Sequence, residues 1–304
     1  MNNNIKNWIT AFRLRTLPLS LASVGMGNIL AYFFNSFEWN IFWFSFITTI
    51  CLQVLSNLAN DFGDAKYGAD NDARIGPKRM VQDGLIGAKE MKNMIYFFAL
   101  LSFIFGVILI YVSNLSLLVS GIFLIIGIIS IIAAINYTIG MKKPYGYKGF
   151  GDISVFIFFG LVAVLGAFYL QAKYIDLDIF IPATSVGMFA TGVLNINNIR
   201  DVESDSLAGK KSIPVKIGLD NAIIYHALLL FGGFGLSIIF VLLNFESIFQ
   251  FIFVFSLPLF IKNFLAIKNV KKNKFIDPYL KQLSISTMIF VILFGVGVVL
   301  SGWY

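Results

Sequence analysis

Two stretches of the chain space side-chain oxygens in a way that suits a hard cation. The first runs Asn57-Leu58-Ala59-Asn60-Asp61-Phe62-Gly63-Asp64, and its acids continue through Asp70 and Asp72. The second runs Asn195-Ile196-Asn197-Asn198-Ile199-Arg200-Asp201, followed by Glu203 and Asp205. Four helical residues turn through about 400°, so Asn197, Asp201 and Asp205 are expected on one helix face, about 40° and ~6 Å apart. Asn60 and Asp64 repeat the spacing. Such oxygens suit Mg²⁺, which keeps waters and is shared between one or two carboxylates and a substrate phosphate. A single pattern of this kind reads more readily as a solvated loop face. Two copies, at equivalent ends of apolar segments, point instead to a metal–diphosphate site between two halves of the chain. Acids at the rim of an apolar region are costly unless they pair or bind a cation.

Basic residues stand beside both clusters: Arg74-Ile75-Gly76-Pro77-Lys78-Arg79, then Lys210-Lys211-Ser212, and a third run from Lys142 through Tyr145, Tyr147 and Lys148 to Gly149. Each cation taken alone reads equally as a salt-bridge partner. A diphosphate carries more charge than one or two Mg²⁺ neutralise, so donors here would also hold the leaving group. His226 has no ligand-spaced partner and Cys51 lies inside an apolar run; both read as packing. Gly25, Gly27 and Asn28 suggest close helix approach or a polar wall.

These residues are positioned by apolar helices. The 304 residues are 58% hydrophobic and 13% charged, against roughly 25% charged in soluble domains, with a mean hydropathy of +0.82. Segments long enough to span a bilayer lie near 17 to 36, 40 to 60, 93 to 113, 116 to 136, 153 to 171, 179 to 198, 221 to 242, 245 to 265 and 283 to 302. That leaves one membrane-embedded domain over 1–304 and nothing for a soluble one. Nine spans place every Lys and Arg except Lys173 on one side, so the N-terminus and both acidic clusters are expected in the cytoplasm. The net charge of +7 is then a one-sided basic surface facing anionic headgroups or substrate, with no call for nucleic acid. Ile5, Trp8, Ile9 and Phe12 recur at helical spacing and predict an interfacial helix rather than a cleaved signal. The single cysteine precludes a disulfide within the chain and leaves the redox compartment open.

The two oxygen-rich motifs resemble those of the UbiA superfamily of intramembrane prenyltransferases. Asn197, Asp201 and Asp205 match the second signature; Asn60 and Asp64 match the first, with its third acid two residues late at Asp70. That departure, the Arg-x-Gly-Pro-Lys-Arg stretch, the opening Arg13-Leu14-Arg15-Thr16-Leu17-Pro18 and the run Tyr145 to Asp152 resemble the 1,4-dihydroxy-2-naphthoate (MenA-type) branch of menaquinone synthesis. The resemblance implies an all-α bundle of nine transmembrane helices around a central cavity, capped by loop helices on the cytoplasmic side of the cell membrane and open sideways to lipid. It implies transfer of a polyprenyl group from polyprenyl diphosphate to 1,4-dihydroxy-2-naphthoate with loss of CO₂.

On this reading Asn60, Asp61, Asp64 and Asp70 hold one Mg²⁺ and Asn197, Asp201 and Asp205 a second. Arg74, Lys78, Arg79, Lys148, Lys210 and Lys211 neutralise the diphosphate. Asp152, Tyr137, Tyr145 and Tyr147 are candidates for acceptor-side proton transfer. Alternatives are another aromatic acceptor, of 4-hydroxybenzoate or homogentisate type, and a cation transporter, whose sites would lie nearer the midplane.

Overall fold

The computed structural model describes residues 3–67, 79–139, 144–270 and 275–302. Asp70, Arg74 and Lys78 therefore lie outside the described residues. Among those described, nine helices are long and apolar enough to cross a membrane, and there is no strand.

The chain opens with α1 (Asn3–Phe12), reverses at Arg13 in the left-handed region (φ 48), and passes through a 3₁₀ turn, Leu14–Thr16, into α2 (Leu17–Phe33). Pro18 sits in the first turn of α2, where its missing N–H costs nothing. Next come α3 (Trp39–Tyr67), α4 (Ala88–Val112) and α5 (Leu117–Asn136). A second 3₁₀ turn, Tyr145–Lys148, precedes α6 (Gly151–Ala172), whose middle, Phe156–Leu165, is π-helical. The remaining elements are α7 (Phe180–Arg200), the short α8 (Val202–Leu207), α9 (Ile213–Leu243, broken at Gly218 with φ 79), α10 (Leu257–Lys268, entered through 3₁₀ turns from Ile248) and α11 (Asp277–Ser301). The expected spans hold, but α3 runs on past residue 60, so Asp61 and Asp64 belong to the helix itself.

Two larger cores, and a small third one of Ile41, Leu109 and Leu170, divide the bundle. One joins α2, α6, α7, α9, α10 and α11 around mutually contacting rings of Phe189, Phe234, Phe253, Phe260 and Phe290. The other joins α1, α3, α4 and α5 with the turn at Met80 and Ile86. Lipid offers no hydrophobic drive between helices, so close packing of small residues carries the association. A Cβ on Gly160 of α6 would stand 2.7 Å from Gly187 Cα of α7. Gly27 is held as tightly, its added Cβ falling 2.3 Å from the Val164 carbonyl oxygen. Asn28 beside it is buried, donates to Val24 O and Ser45 Oγ, and accepts from Gln171 Nε2 at 2.7 Å. The Gly27–Asn28 pair thus supplies both close approach and a polar clamp between α2, α3 and α6.

Candidate active site

Asn60 and Asp64 stand one turn apart near the end of α3, which Gly63 lets approach the α5 terminus: a Cβ there would fall 2.5 Å from the Thr138 carbonyl oxygen. Thr138 Oγ1 donates to Asn60 Oδ1 (3.2 Å) and to the Ala59 carbonyl (2.9 Å). Asp64 is gripped from two sides. Arg79 Nη2 donates to Oδ2 at 2.6 Å and the Tyr147 hydroxyl to Oδ1 at 3.0 Å. The Tyr147 ring lies 5.8 Å from Lys210 Nζ, and its carbonyl accepts from the Lys211 backbone N–H at 2.9 Å. One tyrosine therefore ties the first acidic cluster to the second.

The second cluster departs from the single helix face expected of it. α7 ends at Arg200, Asp201 has left helical geometry (φ −98, ψ 13), and Asp205 belongs to α8. Backbone bonds from Asp201 N to Asn197 O and from Asp205 N to Asp201 O nevertheless keep the three residues in succession. Arg200, buried to 1% side-chain exposure, donates through Nε to Asp201 Oδ1 (2.8 Å), through Nη2 to Asp201 Oδ2 (2.5 Å) and Asn197 Oδ1 (2.9 Å), and through Nη1 to Asp277. Asp277, in the first turn of α11, also accepts from Arg15 at 3.0 Å. Lys210 Nζ pairs with Asp205 Oδ1 at 3.1 Å, while Asp205 Oδ2 is buried without a hydrogen-bond partner. Burial works against the Lys210 charge, but Asp205, Asp64 and Asp201 outweigh it and hold its pKa above the usual lysine value.

A cavity of about 350 Å³ lies between the clusters. Asn60, Asp64 and Arg79 line one side, Asn197 and Lys210 the other, and Arg13 contributes from the N-terminal turn. That turn is anchored on α3, where Asn57 Nδ2 donates to Phe12 O (2.9 Å) and Thr16 Oγ1 (3.0 Å). The remaining wall mixes aromatic and aliphatic side chains, among them Tyr137, Tyr145, Tyr147, Phe158 and Phe159, with neutral polar ones such as Ser23, Gln53, Asn57 and Thr138.

Several expected site residues stand elsewhere. Asp61 is 2% exposed, and its two oxygens accept the backbone N–H groups of Met80 and Val81 at 3.1 Å each, which anchors the turn carrying Arg79. Lys148 and Lys211 are exposed and do not line the cavity. Asp152 is buried beside the Tyr225 hydroxyl (3.4 Å) and is not among the residues lining the cavity. Tyr145 lines the cavity but donates its hydroxyl to Ala133 O at 2.8 Å, and burial pushes its pKa to about 12. Burial, followed by the charges of Asp152 and neighbouring groups, raises Tyr137 further. Both phenols are therefore donors at neutral pH, not bases. Arg13, Arg200 and Asp277 were not expected as site residues. Arg13 stands in the opening motif Arg13 to Pro18 and Arg200 directly precedes Asp201, whereas nothing in the sequence marks Asp277.

The donor set is all oxygen, carries net negative charge before pairing, and includes the orphaned Asp205 Oδ2, which fits a hard divalent cation. Among the described residues no three Asp, Glu, His or Cys side chains form a ready-made cage. Magnesium shared with a phosphate ligand needs none.

The sequence model of the UbiA prenyltransferase family matches residues 20–285. The chain is 41% identical over 304 residues to the 1,4-dihydroxy-2-naphthoate octaprenyltransferase of Haemophilus influenzae, covering 99% of this chain and 98% of that one. It is 40% identical over 296 residues to the enzyme of the same name from Escherichia coli, covering 97% and 96%. Among solved structures, a UbiA homolog from Aeropyrum pernix K1 superposes with a TM-score of 0.67 at 15% identity, covering 95% of this chain and 98% of that one. A UbiA homolog from Archaeoglobus fulgidus bound to GPP and Mg²⁺ superposes at 0.66 with 16% identity, covering 96% and 99%.

Proposed function

Because the chain belongs to the UbiA prenyltransferase family, we propose that it transfers a polyprenyl group from polyprenyl diphosphate to 1,4-dihydroxy-2-naphthoate, releasing diphosphate and CO₂ to give demethylmenaquinol. The observation that carries this reading is one cavity lined by Asn60, Asp64 and Arg79 from one oxygen-rich helix end and by Asn197 and Lys210 from the other, with Asp201 and Asp205 next along the chain and paired to Arg200 and Lys210. The whole chain, 1–304, acts as one multi-pass domain in the cell membrane, with this cavity towards the basic, cytoplasmic side.

Asn60 and Asp64 on one side, and Asn197, Asp201 and Asp205 on the other, would hold two Mg²⁺. When bound, magnesium neutralises the diphosphate and makes it a stable leaving group. Arg79, Lys210 and Arg13 hold the diphosphate oxygens by charge-assisted hydrogen bonds that strengthen as the allylic C–O bond breaks and its electron pair passes to the leaving group. Tyr137, Tyr147, Phe158 and Phe159 present ring faces to the developing allylic cation and exclude water from it. The acceptor's ring carbon attacks the allylic carbon, and departing CO₂ returns its bonding pair to the ring. Tyr137, kept protonated, orients an acceptor oxygen.

The test is to incubate the purified protein in liposomes with Mg²⁺, a polyprenyl diphosphate and 1,4-dihydroxy-2-naphthoate, and to seek the prenylated, decarboxylated product by mass spectrometry. Product that disappears with EDTA supports the reading. Product only with 4-hydroxybenzoate or homogentisate would replace the acceptor, and none with any acceptor would overturn the reading.

A further inference from the structure

The polar cavity does not end at its apolar wall. A second cavity, of about 400 Å³, lies between α3, α4, α5 and α6 and shares Val24, Thr49, Leu52, Ser130, Val162 and Ala163 with the first. Those six residues border both spaces and form the boundary, or neck, between them. The second space is mostly apolar, and four of the six hydroxyl-bearing side chains that line it turn back on their own helices. The hydroxyls of Ser45, Thr48, Ser102 and Ser130 donate to the carbonyls of Phe42, Phe44, Phe98 and Ile126 on their own helices, at 2.7 to 2.8 Å. Its flank carries Phe103, Val107, Leu124 and Ile128, all exposed on the lipid-facing side of α4 and α5.

Three helices contribute a glycine to this space: Gly106 from α4, Gly127 from α5 and Gly166 from α6. None is there for packing. A Cβ on Gly106 would meet nothing nearer than Thr48 Cγ2 at 4.0 Å, one on Gly166 nothing nearer than Phe123 Cε1 at 3.9 Å, and one on Gly127 nothing within 4 Å. Gly27 and Gly160 behave oppositely, their Cβ positions falling inside neighbouring backbone. Glycine is a weaker helix former than alanine. These three give that stability up to open space, and the space adjoins the polar cavity.

We propose that Gly106, Gly127 and Gly166 set the chain length of the donor, by keeping open the groove through which the prenyl tail passes from the neck at Ala163 and Ser130 to the bilayer between α4 and α5. The proposal rests on the reading of the polar cavity as a prenyl diphosphate site. A short donor ends at or before the neck and makes no use of the groove. A long one must fill it.

The experiment compares the wild type with Gly106→Phe, Gly127→Phe and Gly166→Phe in liposomes, using geranyl, geranylgeranyl and octaprenyl diphosphates with a fixed acceptor. Gly235→Phe serves as control: Gly235 lies on α9, lines neither cavity and also has nothing within 4 Å of its Cβ position. The three groove variants should retain wild-type turnover of the geranyl donor, which also certifies folding, and lose at least about tenfold in kcat/KM for the octaprenyl donor, the low end of what a one-methylene mismatch costs in an apolar pocket. The control should keep the wild-type profile. Equal loss across all donors, or no loss with any, overturns the proposal; the second result is also what a groove occupied by a lipid acyl chain would give. A wild-type protein that prenylates nothing with any donor removes the underlying reading and this inference with it, whereas length-independent variants remove this inference alone.

Discussion

Asp277 does not line the cavity, yet it should govern how readily the second cluster accepts magnesium. Arg200 is shared between two carboxylates, Asp201 and Asp277, and Asp277 is shared in turn with Arg15. Replacing Asp277 with Asn removes one of the two charges that divide the guanidinium's attention. Arg200 then bears more strongly on Asp201 Oδ1 and Oδ2, the oxygens proposed to bind the cation. A hydrogen bond to a charged group contributes about 1.5–3 kcal/mol. Asp277 and Arg15 are each about a quarter exposed, so solvent screening reduces this to about 1.4 kcal/mol, which is about tenfold in an equilibrium constant. The expected result is a tenfold rise in the Mg²⁺ concentration for half-maximal activity, with kcat at saturating Mg²⁺ near wild type and Asp277→Glu restoring the original requirement. Initial rates across a magnesium titration, in the same liposomes, read both quantities. A fall in kcat with no change in the magnesium midpoint would show a purely structural role and refute the reasoning, as would no change in either.

Other outcomes follow from the same geometry. Tyr147→Phe keeps the ring near Lys210 but deletes the 3.0 Å bond to Asp64; kcat/KM should fall about tenfold or more, in line with about 1.5–3 kcal/mol for a hydrogen bond to charge, with the melting temperature little changed. Asp61→Asn turns an amide NH₂ towards backbone N–H groups that need acceptors, so it should lower thermal stability by about 1–3 kcal/mol. Asp64→Ala and Asp201→Ala should each abolish turnover in a protein that still elutes as a folded monodisperse species in detergent. His226→Gln should leave initial rates within twofold of wild type, on the order of 0.4 kcal/mol, because His226 meets Asn263 in the α9–α10–α11 packing and not the cavity.

Much of this molecule is legible in its sequence because the relevant properties are local. Runs of apolar residues of bilayer length mark nine spans, which the described residues form as nine helices long and apolar enough to cross a membrane. The recurrence of Asn-x-x-x-Asp at residues 60–64 and 197–201 marks two turns rich in side-chain oxygens. Which carboxylate faces the cavity is another matter. Asp61 and Asp64 are alike in type and three residues apart, yet one anchors Met80 and Val81 while the other meets Arg79 and Tyr147. That choice follows from the rotation of α3, set where Gly63 admits the Thr138 carbonyl. Lys148 and Lys211 read from sequence as diphosphate donors as readily as Lys210, but only Lys210 turns inward, drawn by Asp205, Asp64 and Asp201. Arg200 takes Asp277 from a helix 77 residues away, and no spacing rule reaches across that distance. Sequence determined which helices exist and what chemistry their ends carry, because periodicity and composition act within one segment. The tertiary structure decided which side chains share a cavity, because helix rotation and the sharing of buried charge depend on every segment packed against them.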